Sequence, residues 1–461
     1  MPKNENIETI TGDPKKAINK LAIPTIFSLL LMFLNNLIDS FWVSGINIES
    51  LAALGFISPL YLVLIGIGIG IGAGGNSLIS RYIGASKIED ANNAVMHTII
   101  LTFIVSIIII IIGIFFLDDI IILVGAKDVM TYCIDYGEIL FLLNIVFLLP
   151  NVTASIFRAE GDVKRATNPL MLTAILNMIL DPIFIYVLNL GISGASIATV
   201  LASLIGFLWM LYWIYIKKDT YFKFKIQHYK RNLEIYKKII LVSLPASFEE
   251  IIFSIVAIIL NYLIIITAGV NEVASFTIAW RYITIAFIPC MAIGIATITV
   301  SGIAYGAKNA KNFETTIKYS TMISLIITLI ISSSFFIFAY PLCELFSFQS
   351  ESIELITRSS QILKILVFYN ILIPFGATAA YTYQGIGSGF KSLGLTVLRE
   401  LILSMFFAYL LGIIFNMGVF GVYLGAIIGM NIGSIIGFTF IIIFNRKFKK
   451  EVETPQNTSQ K

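Results

Sequence analysis

Asp39 and Asp181 lie within stretches that are otherwise apolar. An ionisable group in hydrocarbon costs roughly 2.5–3.5 kcal/mol even on a lenient insertion scale, so acids retained there are the first candidates for function. Asp39 closes the run Asn35-Asn36-Leu37-Ile38-Asp39, and Asp181 closes Asn177-Met178-Ile179-Leu180-Asp181 just before Pro182. Asn177 and Asp181 are four residues apart and share one helix face. Pro182 removes a backbone donor and is able to kink or widen the helix there. Thr199, early in a later apolar run, adds a hydroxyl within reach of the same point. Two carboxylates, an amide and a hydroxyl form an oxygen-rich set suited to a proton or a small hard cation such as Na+.

The elements that position these residues follow from composition. Hydrophobic residues make up 58% of the 461-residue chain and charged ones 13%, about half the usual charged share of a globular domain. A soluble surface has no place for that much apolar area, whereas a bilayer does. Runs long enough to span it, about 20 residues each, fall near 21–44, 51–80, 93–117, 130–157, 168–188, 192–216, 239–266, 272–302, 316–340, 353–383, 392–415 and 419–444. The expected fold is therefore an all-α integral membrane protein with twelve transmembrane helices in two six-helix lobes.

Basic residues set the expected orientation. Connections after even-numbered spans carry Arg81 and Lys87; Arg158, Lys164 and Arg165; Lys308, Lys311 and Lys318; and Lys391. The central connection adds Lys217, Lys218, Lys223, Lys225, Lys230, Arg231, Lys237 and Lys238, whereas connections after odd-numbered spans hold only Lys127. The positive-inside rule then places both termini and the central loop in the cytoplasm, with the protein in the plasma membrane. The expected divisions are a cytoplasmic segment 1–20, an N-lobe 21–216, a solvated linker 217–238, a C-lobe 239–444 and a cytoplasmic tail 445–461.

The halves are related. Leu188-Asn189-Leu190-Gly191-Ile192-Ser193-Gly194 returns as Phe415-Asn416-Met417-Gly418-Val419-Phe420-Gly421, Pro24 matches Pro245, and Tyr82-Ile83-Gly84-Ala85 matches Ala304-Tyr305-Gly306-Ala307. Six spans per repeat give both halves the same orientation, a parallel repeat. The acids are not repeated: positions matching Asp39 and Asp181 fall near Leu260 and Ala408. The second half carries Glu249 and Glu250 instead, expected near the cytoplasmic end of span 7.

Other chemistries lack their residues. Cys133, Cys290 and Cys343 lie far apart and are expected to pack as apolar side chains, and His97 and His228 do not suit a haem or His-ligated metal. The glycines from Gly66 to Gly75 lie inside a span, which favours close helix packing over a phosphate loop. No G-x-x-x-x-G-K-[ST] occurs, so this chain offers no Walker-type ATP site. Asp135 and Glu138 are candidates for an outer vestibule, and Arg399 with Glu400 for a structural pair. A membrane-embedded enzyme would need a nucleophile–base pair at depth, and neither histidine is placed to serve.

The chain resembles the MATE family, the multidrug and toxic compound extrusion transporters. The resemblance rests on Pro24 through Asn35 to Asp39-Ser40-Phe41-Trp42, on the Gly-rich span 2 running into Ser80-Arg81-Tyr82-Ile83-Gly84-Ala85, and on Arg158-Ala159-Glu160-Gly161-Asp162. Asn177, Asp181-Pro182 and the repeated x-N-x-G-x-x-G complete it. It implies secondary active export of amphipathic, often cationic organic compounds against inward H+ or Na+ flow, without a cofactor. The implied cation site is that of the archaeal and related bacterial branch, matched here by Asp39, Asn177, Asp181 and Thr199. Asn35, Trp42, Asn151, Glu249 and Glu250 are the candidates for cavity or gating roles. The implied partners are the lipid bilayer and small organic substrates, with no nucleic acid, for a monomer. The rival within the same superfamily is a flippase for lipid-linked oligosaccharides, which calls for more spans and a cationic cavity.

Overall fold

The computed structural model describes residues 5–224, 227, 229–345 and 353–454. Lys225 and His228 lie outside them. The described residues are almost wholly helical. A short helix α1 (Glu5–Thr11) leads to α2 (Pro14–Ser44), α3 (Ile48–Gly84) and α4 (Ile88–Leu123). Next come α5 (Lys127–Leu142) with α6 (Ile145–Ala159), then α7 (Val163–Val187) and α8 (Gly191–Lys217). The second half runs through α9 (Leu233–Ala268), α10 (Val270–Gly306), α11 (Ala310–Ile337) and a short α12 (Ala339–Leu345). It ends with α13 (Ile353–Tyr369) and α14 (Ile373–Gly385), α15 (Gly389–Ile414) and α16 (Gly418–Glu453). Ten of these helices are long and apolar enough to span, and the bent pairs α5–α6 and α13–α14 bring the count to twelve.

The fourth and tenth spans are broken rather than continuous, with bends of 47° and 51°. An asparagine stands at each break. Asn144 Nδ2 donates to the carbonyls of Phe141 at 2.7 Å and Ser106 at 3.2 Å, and Asn370 Nδ2 donates to that of Ile283 at 2.9 Å. Backbone carbonyls freed by a bend must be satisfied inside the bundle; Asn144 serves Phe141 at its own break and ties the break to α4, and Asn370 ties the other break to α10. The repeat also recurs in backbone conformation. Ser86 and Lys308, Gly161 and Gly387, Asn189 and Asn416, and Gly191 and Gly418 all have positive φ.

Contacts divide the chain into two compact units, Met1–Gly12 with Ile23–Glu250, and Asp13–Ala22 with Ile251–Lys461. The first unit is built around α3. A Cβ on Gly70 would stand 2.7 Å from the Ser243 carbonyl oxygen, and one on Gly74 would stand 2.6 Å from that of Ile239. These positions thus press on α9, while Gly68 and Gly72 press on α6 at Leu148 and Ser155. The glycines pack helices, as their place in an apolar span implies. In the second unit the apolar core joins α10, α13, α15 and α16 around Tyr423, Leu363 and Ala408. Tyr319 there donates its hydroxyl to Asn19 Oδ1 at 3.0 Å.

The central connection is not simply solvated. Phe222 and Phe224 are buried, and the main chain is held by side chains of the first unit. Glu160 Oε2 accepts from Phe222 N–H at 3.2 Å, Asn92 Oδ1 from Lys223 N–H at 2.9 Å, and Asn93 Oδ1 from Lys230 N–H at 3.0 Å. His97 Nε2 accepts from Asn232 N–H at 3.2 Å, and Nδ1 faces the Asn93 carbonyl at 2.9 Å. That pairing fixes the neutral tautomer with its proton on Nδ1. The lysines Lys217, Lys218, Lys223 and Lys230 remain exposed.

Two outcomes follow. Gly70→Val should destabilise the protein by about 1–3 kcal/mol through overpacking, whereas Gly55→Val, with nothing within 4 Å of its Cβ, should leave the melting temperature unchanged. Burial pushes the Glu160 carboxyl up to about 8 although the Phe222 N–H holds it down. Folding therefore favours the protonated group, and the stability it contributes below the ordinary value of 4.5 is lost progressively as pH rises from there to about 8. Wild-type melting temperature should fall across that interval, and Glu160→Gln should flatten the profile.

Candidate cation site in the first half

The acids are brought together by α2, α7 and α8. Asp39 stands on α2 one turn after Asn35, and Asn177 and Asp181 stand one turn apart on α7, as the i, i+4 spacing requires. Pro182 has no N–H to give, and the helix opens into a π turn over Ile183–Val187 directly after it. Thr199 reaches in from α8, with its own hydroxyl donating to the Ala195 carbonyl at 2.9 Å. Asp181 is fully buried, and Asn177 and Thr199 nearly so.

The polar atoms form a directed chain. Asn35 Nδ2 donates to Asn177 Oδ1 at 2.9 Å, and Asn177 Nδ2 donates to Asp181 Oδ1 at 2.6 Å. The contact from Asn177 Nδ2 to Thr199 Oγ1 is longer, 3.4 Å. The Asp39 and Asp181 carboxyls interact directly. Asp39 Oδ1 and Asp181 Oδ2 are each buried without a protein hydrogen-bond partner. Tyr61 on α3 and Tyr136 on α5 lie close enough to feel the charge of both acids. Sequence reasoning did not single out these tyrosines, because nothing distinguishes them among 20.

Charge balance separates this site from the buried acids of the second half. Among the described residues no Lys or Arg pairs with Asp39 or Asp181. Glu272 instead accepts from Arg358 Nε at 2.9 Å and Nη2 at 2.7 Å, and from the Tyr423 hydroxyl at 3.1 Å. Glu400 is paired with its neighbour Arg399, both nearly sealed from solvent. The second half neutralises these two acids internally, and the first half leaves two buried carboxyls facing each other.

The remaining candidates fall in three places. Asn35, Asn151, Asn177 and Thr199 line one cleft in the first half with Met32, Asn36, Tyr61 and Phe147. Trp42 is not in that wall. It packs edge-on to Phe41 and Tyr186, and its carbonyl accepts the Tyr186 hydroxyl. Glu249 and Glu250 stand near the middle of α9, not at a helix end, because α9 begins as far back as Leu233. The Glu250 side chain lies against Gly66. Asp135 and Glu138 are exposed, and the three cysteines are buried and free.

With that geometry in hand, the comparisons with known proteins are specific. The MatE family model matches residues 24–183 and 245–410, one segment in each half. The chain belongs to the MATE family. A solved structure of the outward-facing conformation of a multidrug resistance MATE family transporter of the MOP superfamily is 35% identical, with a TM-score of 0.94. The match covers 98% of this chain and 100% of that one. The multidrug export protein MepA of Staphylococcus haemolyticus is 24% identical over 377 residues, 81% of this chain and 82% of its own length. A FAD transporter of Shewanella oneidensis is also 24% identical, over 78% of both chains. MATE relatives thus include proteins named for unlike cargoes.

The hydrogen-bond lengths rank the polar partners. Asn177→Leu, which strips the fully buried Asp181 Oδ1 of its donor, should cost about 1–3 kcal/mol. Thr199→Val, which removes a 3.4 Å contact, should cost less, and thermal melts of both variants check the order.

Proposed function

We propose that this MATE protein is a secondary active multidrug exporter that expels amphipathic organic compounds, often cations, in exchange for inward H+ or Na+. The observation that carries the reading is the Asp39–Asp181 pair, a fully buried acid facing a half-buried one whose Oδ1 is sealed from solvent, with no Lys or Arg paired to either among the described residues. Burying one charge is costly and two like charges more so, so a mobile cation at this point changes the energy of the first half by a large amount. A cleft that shares Asn177 and Thr199 with the site gives a substrate a place where ion occupancy matters. The family relationship and the multidrug export function named for relatives support the same reading.

The cycle runs as follows. A cation binds Asp39 and Asp181 from outside, removes their repulsion and favours release of the compound. Binding of a compound from the cytoplasm favours the ion-free, inward-open state, and the lobes exchange access by rocking. Inward movement of one positive charge supplies about 2.3 kcal/mol per 100 mV, and a proton gradient adds roughly 1.4 kcal/mol per pH unit. That is enough for tens- to hundreds-fold accumulation outside. The termini and the docked central connection face the cytoplasm in this reading, and the site in the first half alone supports the archaeal and related bacterial branch.

The test is efflux of a fluorescent organic cation from proteoliposomes under a sodium gradient and then a proton gradient, each imposed alone. Asp39→Asn and Asp181→Asn should each abolish ion-driven efflux while the variants melt as folded proteins. Unchanged transport in both would remove the acids from coupling.

A further inference from the structure

Asn35 bonds to Asn177 in a way that bears on which cation the site admits. Asn177 presents Nδ2 to Asp181 at 2.6 Å, the arrangement that an ionised carboxylate, which only accepts hydrogen bonds, requires. Its oxygen is then turned the other way, and Asn35 Nδ2 occupies it at 2.9 Å. The same amino group also faces Thr199 Oγ1. The centre of the site therefore receives two carboxylates, a hydroxyl and the N–H end of an amide.

Hard cations are coordinated by oxygen from every ligand. A sodium ion beside Asp39 and Asp181 that takes Asn177 as a ligand needs its carbonyl oxygen where the amino group now stands. Turning Asn177 by half a revolution supplies that oxygen but sets its amino group against the Asn35 amino group, donor to donor. Relief requires Asn35 to turn as well, which carries its Nδ2 to the buried position that Asn35 Oδ1 occupies without a partner. The two amides thus turn together or not at all.

We propose that Asn35 is a specificity-determining residue, which holds the Asn177 oxygen out of the site and so disfavours Na+. The inference rests on the reading of Asp39 and Asp181 as the cation site, and it concerns Asn35, which the ion itself does not touch. It also links the ion to the substrate. Asn35 lines the cleft, so a bound compound that recruits its amide frees Asn177 to turn.

The experiment is equilibrium binding of radioactive sodium to the purified full-length protein at fixed pH and ionic strength, displaced by unlabelled NaCl or KCl. Wild type should bind weakly, with little preference for Na+ over K+. Asn35→Leu and the smaller Asn35→Ser should each gain a sodium-selective component, with an affinity about tenfold higher than wild type. Asn35→Leu combined with Asn177→Leu should lose that gain, because the added oxygen comes from Asn177. A purely structural Asn35 would lower the melting temperature without changing sodium selectivity. Sodium-selective, tight binding by wild type overturns the proposal, as does a pair of Asn35 variants that bind like wild type. If the gained binding survives Asp39→Asn and Asp181→Asn, the acid pair is not the cation site and both readings fall. If efflux depends on the acids but Asn35 variants leave sodium binding unchanged, only the role of Asn35 falls.

Discussion

Every polar group in this protein that lies at membrane depth must find its partner inside the helix bundle, because lipid offers none. That constraint shapes both halves. It places Asn144 and Asn370 at the bends of the fourth and tenth spans, where side-chain amides meet carbonyls of other segments. It sets Arg358 on Glu272 and Arg399 beside Glu400. Some neutral groups also keep a buried atom without a protein partner, Asn35 Oδ1 and Asn370 Oδ1 among them. The Asp39–Asp181 pair differs in kind: one buried oxygen of each acid is left without a donor, and no described Lys or Arg pairs with either. Such a deficit on two adjacent acids marks a point that something from outside the chain is able to complete.

The two halves show how one scaffold is put to different uses. Their matched left-handed residues and matched helix breaks reflect what a six-helix unit needs in order to turn corners and keep its backbone bonded. Their buried ionic groups differ because those are set by side chains, which change without disturbing the path of the chain. Ala408 and Leu260 pack quietly in the second half near the positions where the first half has its acids.

Much of this was legible from the residues. Span number rests on hydropathy, the repeat on motifs that recur between the halves, and the set Asp39, Asn177, Asp181 and Thr199 on polar residues inside apolar runs, with i, i+4 spacing for Asn177 and Asp181. The bends were not legible, since the apolar runs continue through Asn144 and Asn370 and one asparagine carries no periodic signal. Helix α9 begins before the apolar run, at Leu233, so its start was not legible from hydropathy. The tyrosines Tyr61 and Tyr136 come from helices distant in sequence, so only the packed structure places them by the acids. Docking of the central connection was hidden for a related reason: what it offers its partners is main-chain N–H groups, which every sequence has.

That last feature bears on how the protein is free to change over generations. Asn92, Asn93, His97 and Glu160 grip the N–H groups of the connection and not its side chains. Its route is therefore specified by four residues elsewhere in the chain. Apart from the buried Phe222 and Phe224, Asp219 on Arg165 and Tyr229 against His97, the connection's described residues are released from that duty. Selection is then able to retune the charge of this basic stretch, raising or lowering its count of lysines, without moving the thread that carries them.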